Sequence, residues 1–196
     1  MGWTTTYKPK GETVLDFFNS TGVFTWSDDN PNKYRVLDSA VVKFNTFYAA
    51  IEQTHRETGE RNVWAAVILI RRYSKDMHNF GWKGMSESAG PFASECPERI
   101  LKLLTPTDSE NANDWRKRCW ANVEYHKARK NLPNGTVLKY RGCKYTIDNE
   151  GRDPVKNKTW VTDCNGQTWL MKRSQILAAE IVSRPDKTGE CNDDLS

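Results

Sequence analysis

Residues 78–104, HNFGWKGMSESAGPFASECPERILKLL, contain the change from strand-like to helical sequence on which the fold depends. Three glycines and two prolines interrupt this stretch, and no clean strand or helix period appears before Pro97. A glycine-rich crossing between a sheet and a helix lets a ligand approach the backbone and often gathers polar groups. We therefore expect an irregular loop here, with a sheet before it and a helix after it.

The residues that precede this loop are predicted to form a mostly antiparallel sheet. Thr13 can cap a short helix that separates a first strand over residues 2–8 from the others. Further strands are expected over residues 34–42, 46–53 and 63–70. The last of these, VWAAVILI, is the most apolar run in the chain, and its β-branching favours a strand covered on both faces. We expect it inside the sheet.

Two helices are predicted after the loop. The first begins at Pro97, and the second is opened by a capping-box pattern formed by Thr107 and Glu110 and runs to about Lys130. Apolar residues recur on it at helical spacing and predict a buried stripe: Ala112, Trp115, Cys119, Val123 and His126.

The remaining sequence predicts a second, β-rich module. Short strands over residues 136–140, 143–147, 159–162 and 169–172 are separated by glycine-containing turns, a spacing typical of a small SH3-like barrel. The fold class is therefore α+β: an antiparallel sheet with helices packed on one face, plus this barrel. We place the domains at residues 1–131 and 132–184, with a mobile acidic tail over 185–196.

Composition narrows the class of protein. No run of 18 apolar residues occurs, so no membrane span is expected, and the N-terminus lacks an apolar signal core, which predicts a cytoplasmic protein. The five cysteines are an odd number without a CxxC pair, as expected for reduced thiols.

Positive charge is concentrated in the C-terminal half of the chain. Residues 1–110 contain 13 Lys/Arg and 14 Asp/Glu, whereas residues 111–132 contain six and two, and residues 133–184 contain nine and five. Such a distribution indicates an electrostatic footprint for a polyanion, although a solvated helix face is the alternative. On the helix the candidate binding residues are Arg116, Lys117, Arg118, Trp120, Lys127, Arg129 and Lys130. In the module they are Lys139, Arg141, Lys144, Lys172 and Arg173, beside Lys156 and Lys158.

Glu87 is the best candidate for a catalytic residue. It lies on the glycine- and proline-containing loop, with His78 and the exit of the apolar strand at Arg71 and Arg72 nearby in sequence. No second carboxylate, nucleophile motif or phosphate loop accompanies it. The alternative is structural: Glu87 accepts backbone hydrogen bonds and holds the loop in shape.

A zinc site is a further alternative, with Cys96, Cys119, His78 and His126 as its ligands. Zinc sites usually contain closely spaced ligand pairs, and this sequence has none. We therefore expect no metal and no cofactor, and we expect Cys96 and Cys119 to be buried against each other.

A set of motifs over about residues 1–130 resembles a family of short accessory proteins of unknown function from phages, prophages and plasmids. The motifs are Gly2-Trp3-Thr4, Phe80-Gly81-Trp82-Lys83, Met85 with Glu87 and Gly90-Pro91, Cys96-Pro97 with Ile100-Leu101, and Trp115-Arg116 with Cys119. Ala89 departs from the methionine expected there. The resemblance implies a mobile-element origin and no reaction. Because many such proteins antagonise host defence systems, it also implies an inhibitor.

Together these observations predict a binding protein rather than an enzyme. Its partner is expected to be a nucleic acid or an acidic host protein complex, contacted by the basic helix and the barrel, and its function the inhibition of a bacterial defence system. An enzyme acting on an anionic substrate around Glu87, and a self-assembling scaffold, are the alternatives.

Overall fold

The computed structural model describes residues 2–8, 11–20, 31–43, 45–73, 79–90 and 92–185. The chain divides into two compact units, Met1–Val123 and Glu124–Ser196, so the boundary lies within the long helix rather than at the joint expected after residue 131. The predicted acidic tail from residue 186 onward lies outside the described residues.

The first unit is built on a five-stranded antiparallel sheet. Its elements are β1 (Thr4–Tyr7), α1 (Val14–Ser20), β2 (Asn32–Val42), β3 (Thr46–His55), β4 (Arg61–Arg72), β5 (Asn79–Ser86), a 3-10 turn (Glu87–Ala89), α2 (Glu98–Leu101) and the long helix α3 (Glu110–Ala128). The strand order is β1-β5-β4-β3-β2, and every neighbouring pair is antiparallel. The antiparallel meander and the central position of the most apolar strand are thereby confirmed.

Helices cover both faces of this sheet, which corrects the expectation that they pack on one. On one face, Phe17 and Phe18 of α1 pack in a cluster with Phe47, Ile68 and other residues of the central strands. The opposite face forms a second cluster with side chains of α2 and α3; its buried members are Tyr48, Ala50, Val63, Ala65, Val67, Cys96, Ile100, Leu101, Trp115 and Cys119. Because side chains alternate along a strand, β3 and β4 supply apolar residues to both clusters, which explains their continuous apolar sequence.

The stretch predicted to be an irregular loop contains a regular strand, β5. Phe80 is buried and Trp82 packs beside it in the α1 cluster, so the expected alternation is present. Gly81 points to the other face, where a Cβ atom would lie 2.6 Å from the hydroxyl oxygen of Tyr73. The glycine that looked like a loop signal therefore lies within a strand, at a position where a larger residue would displace the Tyr73 side chain.

The start of α3 differs from the predicted capping box. The amide of Ala112 donates to Oγ of Ser109 at 3.4 Å, so Ser109 is the capping residue, and Thr107 accepts from the amide of Ser109 at 3.3 Å. Ala112, Trp115 and Cys119 are buried as predicted. His126, which was assigned to the same stripe, is exposed.

The second unit contains another five-stranded antiparallel sheet. Its elements after α3 are β6 (Val137–Tyr140), β7 (Cys143–Ile147), β8 (Lys158–Asp163), β9 (Thr168–Lys172), α4 (Arg173–Ala178) and β10 (Glu180–Ser183). The order is β10-β6-β7-β8-β9, so the sheet is open with β9 and β10 at its edges, in place of the closed barrel that was expected. Leu138, Ile147, Val161, Met171 and Ile176 form its core.

Among the described residues, no helix combines the length and the apolar character that crossing a membrane requires.

Candidate nucleic-acid interface

Glu87, the candidate catalytic residue, is buried in the 3-10 turn that follows β5. Only 2% of it is exposed, and its Oε1 accepts a hydrogen bond of 3.0 Å from the amide of Ala65 on β4. The positive φ of Gly90 (144°) closes this turn, a backbone conformation that favours glycine. The loop sequence therefore places a carboxylate inside the unit, against the central strand.

The guanidinium group of Arg116 neutralises this carboxylate. Its Nε donates to Oε2 and its Nη2 donates to Oε1, both at 2.6 Å, while Nη1 donates to the carbonyl of Thr105 at 2.6 Å. The two side chains are 14% and 3% exposed, so this is a buried, two-pronged ion pair. Both carboxylate oxygens are occupied, which favours the structural alternative for Glu87.

Arg71, which was expected beside Glu87, is not brought to it. Arg71 lies six residues beyond Ala65 on β4, so about 20 Å of strand separates Arg71 from the residue whose amide binds Glu87. The Arg71 side chain is exposed, and its guanidinium carbon lies 6.0 Å from the centre of the Tyr73 ring. His78 lies outside the described residues.

Cys96 and Cys119 are buried in the same apolar cluster of the first unit. Burial raises the pKa of Cys119 to about 11, and it raises the pKa of Cys96 well above its usual range. The described residues contain no group of three or more His, Cys, Asp or Glu side chains that could hold a metal ion.

The cationic side chains of α3 serve different roles. Arg116 is buried in the pair with Glu87, and Arg118 is 2.9 Å from Asp114 on the same helix. Lys127 is 3.1 Å from Glu124, and Trp120 packs against the apolar cluster of the first unit. Lys117 is exposed. The helix is therefore less of a continuous positive surface than its sequence suggests.

Two further candidates in the second unit have structural contacts of their own. Arg173 donates to the carbonyls of Arg129 at 2.9 Å and of His126 at 3.1 Å, so its charge caps the C-terminal end of α3. Arg141 occupies the β6–β7 turn with a positive φ of 51°, and its guanidinium carbon lies 5.3 Å from the centre of the Tyr140 ring.

The remaining lysines of the second sheet form two directly opposed pairs. Lys139 on β6 faces Lys144 on β7, and Lys158 on β8 faces Lys172 on β9. Strand alternation and the registers place all four on one side, opposite the apolar core, and we call this side the lysine face. All four are exposed, and none forms an ion pair with another described residue.

Threonines, Trp160 and the apolar Leu170 opposite it lie between the two lysine pairs. Thr146 and Thr168 flank Thr162 on the neighbouring strands, and Trp160 follows along β8. From the register, Lys144 and Lys158 are separated along the strands by six residues, about 20 Å. The lysine face thus holds positive charge at two ends and hydroxyl groups with an aromatic ring between them.

Asp148 is the carboxylate placed within this surface. It accepts hydrogen bonds from the hydroxyl of Thr162 at 2.9 Å and from Arg152 at 3.0 Å, and these donors lower its pKa. Because Arg152 compensates its charge, Asp148 does not neutralise the lysines. Over residues 124–185 the balance is twelve Lys/Arg to six Asp/Glu, a net charge of +6.

The structure thus defines an α+β protein of two antiparallel sheets. No family model, no curated protein and no solved structure matches the chain.

Proposed function

We propose that this chain binds single-stranded nucleic acid on the lysine face of its second unit. The observation that carries the proposal is the direct opposition of Lys139 with Lys144 and of Lys158 with Lys172. Like charges placed opposite each other across strands destabilise a sheet, so these pairs are unfavourable unless an anion lies over them. A polyanion removes that repulsion and gains the entropy of the counterions it releases.

The side chains on the lysine face favour single-stranded over double-stranded nucleic acid. Between the lysine pairs, threonine hydroxyls offer hydrogen bonds, and Trp160 offers a ring of the kind on which unpaired bases stack. The strand order, with α4 between β9 and β10 and with β10 returning to β6, is consistent with an SH3-like module. Small open or partly closed sheets of this kind commonly bind nucleic acids across one face.

The biological setting follows from the sequence motifs and is part of the proposal. A mobile-element accessory protein that binds nucleic acid in the host cytoplasm is suited to inhibiting a defence system that itself handles nucleic acid. An acidic surface on a host protein complex is the competing partner, because the same lysines would attract it.

The test is binding of a fluorescently labelled single-stranded oligonucleotide, followed by anisotropy over a range of salt concentrations. Four phosphate contacts predict a slope of log K against log salt of about −3 for a single strand. Replacing Lys139, Lys144, Lys158 and Lys172 with glutamine should remove most of this slope and most of the affinity.

The matched control changes the same number of charges in the first unit. Lys33, Arg56, Arg61 and Lys117 are exposed there, and their replacement with glutamine should leave affinity within about twofold of wild type, since none of them belongs to the lysine face. Equal losses in the two variants would reduce the effect to net charge and overturn the proposal. Tight binding of an acidic protein without oligonucleotide binding would identify the competing partner.

A further inference from the structure

The second unit contains a cavity of about 360 Å³ beside the lysine face. It lies between the segment that follows α3, the loop over residues 149–155 and the start of β8. Lys158 lines the cavity and also belongs to the lysine face, so the two are continuous.

Cationic groups dominate the polar lining of this cavity. Arg129, Lys130 and Lys158 line it against the carboxylate of Asp153, and the charge of Arg152, which also lines it, is already paired with Asp148. Lys130 and Lys158 form no ion pair with a described residue. The cavity therefore has an excess of positive charge that an anion would neutralise.

Among the residues that line the cavity, Arg129 gives the most specific indication of an anionic ligand. Its Nε is buried and has no hydrogen-bond acceptor among the described residues, although buried donors are almost always paired. Its guanidinium carbon lies 3.7 Å from the centre of the Tyr125 ring, so the group is held in place by stacking. A guanidinium held in this way places a fixed positive charge in the wall of the cavity that it lines.

Beside the polar Asn131, Asn149 and Thr159, the lining contains more apolar surface than a bare phosphate needs. Leu132, Val155 and Ile176 contribute apolar walls, and Trp160 contributes an aromatic side chain. Ligand cavities of this volume hold small organic molecules with a few placed polar groups. Phosphate attached to a sugar and a base combines both requirements.

We infer that this cavity receives a terminal phosphate, together with its nucleotide, of the strand bound on the lysine face. The inference rests on the proposed function and adds a preference for strand ends. Lys130, Arg129 and Lys158 contact the phosphate, and the apolar walls contact the sugar and base.

The experiment compares four single strands of one sequence: covalently closed, linear without a terminal phosphate, linear with a 5′-phosphate, and linear with a 3′-phosphate. One of the two phosphorylated strands should bind about tenfold more tightly than the unphosphorylated one, as expected for charged hydrogen bonds. Which strand gains identifies the end that enters the cavity. Equal affinity for all linear strands overturns the inference while the proposed function stands.

Variants of the lining residues test whether the preference for a phosphorylated end arises in the cavity. Lys130→Gln and Arg129→Gln should each abolish the preference for the phosphorylated end and leave affinity for the closed strand unchanged. Lys156→Gln is the matched control, because Lys156 is exposed and close in sequence but does not line the cavity. A preference that survives both cavity variants overturns the inference.

A direct titration separates the two proposals. Thymidine monophosphate added to the full chain should perturb the amide resonances of residues 129–132 and 149–160, and Lys130→Gln should remove this response. If the closed strand does not bind, the proposed function fails; a thymidine monophosphate response would then retain the cavity as a nucleotide site. The absence of that response overturns the cavity assignment.

Discussion

The side chain of Arg116 enters the first unit, although its neighbours Lys117 and Arg118 lie on the exposed side of the same helix. Sequence reasoning grouped the three as one basic surface. The carboxylate of Glu87 lies 29 positions earlier and pairs with Arg116 alone. A pairing at that separation has no local sequence signal, since it depends on how the helix is seated on the sheet.

This buried pair predicts a large and non-additive effect on stability. Glu87→Ala should lower the free energy of unfolding by about 3–5 kcal/mol, because it leaves the Arg116 charge buried without its partner. Arg116→Met is the second single variant, and the double variant Glu87→Ala/Arg116→Met should lose much less than the sum of the losses of the two single variants. Denaturant unfolding of the four proteins measures the coupling.

Lys117→Gln is the control for this cycle, because Lys117 is adjacent to Arg116 but exposed. Its effect should lie within about 0.5 kcal/mol of wild type. Strictly additive losses in the Glu87 and Arg116 variants would contradict a specific buried pair. Oligonucleotide affinity should not change in any folded variant, since none alters the lysine face.

At the scale of elements, the free energy of unfolding should fall at high pH, because groups with raised pKa values are buried where α3 packs on the sheet. The thiol of Cys119 has a pKa of about 11 instead of its ordinary 9.0, and burial raises the pKa values of Cys96 and Tyr48 in the same direction. At a pH between 9.0 and about 11, Cys119 of the unfolded chain loses a proton that Cys119 of the folded chain retains. Unfolding is therefore favoured as pH rises, and the stabilisation is fully present only below the unfolded pKa.

The measurement is the denaturation midpoint at intervals between pH 8 and pH 11, where the upper limit is the pKa of Cys119, about 11. Cys119→Ala should flatten the decline over the upper part of this range, and the slope that remains includes the contributions of Cys96, Tyr48 and Tyr145, whose pKa values burial also raises. Cys143→Ala is the control, because Cys143 is exposed. A wild-type midpoint that does not fall with rising pH would refute this account.

Much of the element order could be predicted because the strands carry the physical signals of their burial. The run VWAAVILI indicates a doubly covered strand, and β4 is one. The strand β5 was missed because Gly81 and Gly84 interrupt its apolar pattern, and the close approach of the Tyr73 side chain to Gly81 is created only by the fold. The SH3-like barrel was expected from strand spacing, which cannot tell an open sheet from a closed one.

Part of the lysine face could be predicted from the sequence. Arg141 and Gly142 both have positive φ values, 51° and 84°, and form a two-residue turn that fixes Lys139 opposite Lys144. An Arg-Gly pair between two short strands is a usable signal for that register. The loop before β8 gives no such signal, so the side of the sheet on which Lys158 lies could not be assigned.

At the scale of the whole molecule, the two compact units have separate cores. Two apolar clusters lie on the faces of the first sheet and a third lies in the second unit, and within the described part of the chain none of the three combines residues from both units. Contributions to stability should therefore be local to each unit. Function should separate in the same way, because every residue assigned to nucleic-acid contact lies in the second unit.

This separation predicts the pattern of hydrogen exchange in two core variants. Ile68→Ala and Ile147→Ala each remove a buried side chain and should destabilise by about 2–5 kcal/mol. Ile147→Ala should accelerate exchange of the amides in β6 to β10 and leave β3 and β4 at wild-type rates, while Ile68→Ala does the reverse. Because binding needs only the folded second unit, Ile68→Ala should retain oligonucleotide affinity at temperatures where Ile147→Ala has lost it. Accelerated exchange throughout the chain in either variant would show one cooperative core instead of two.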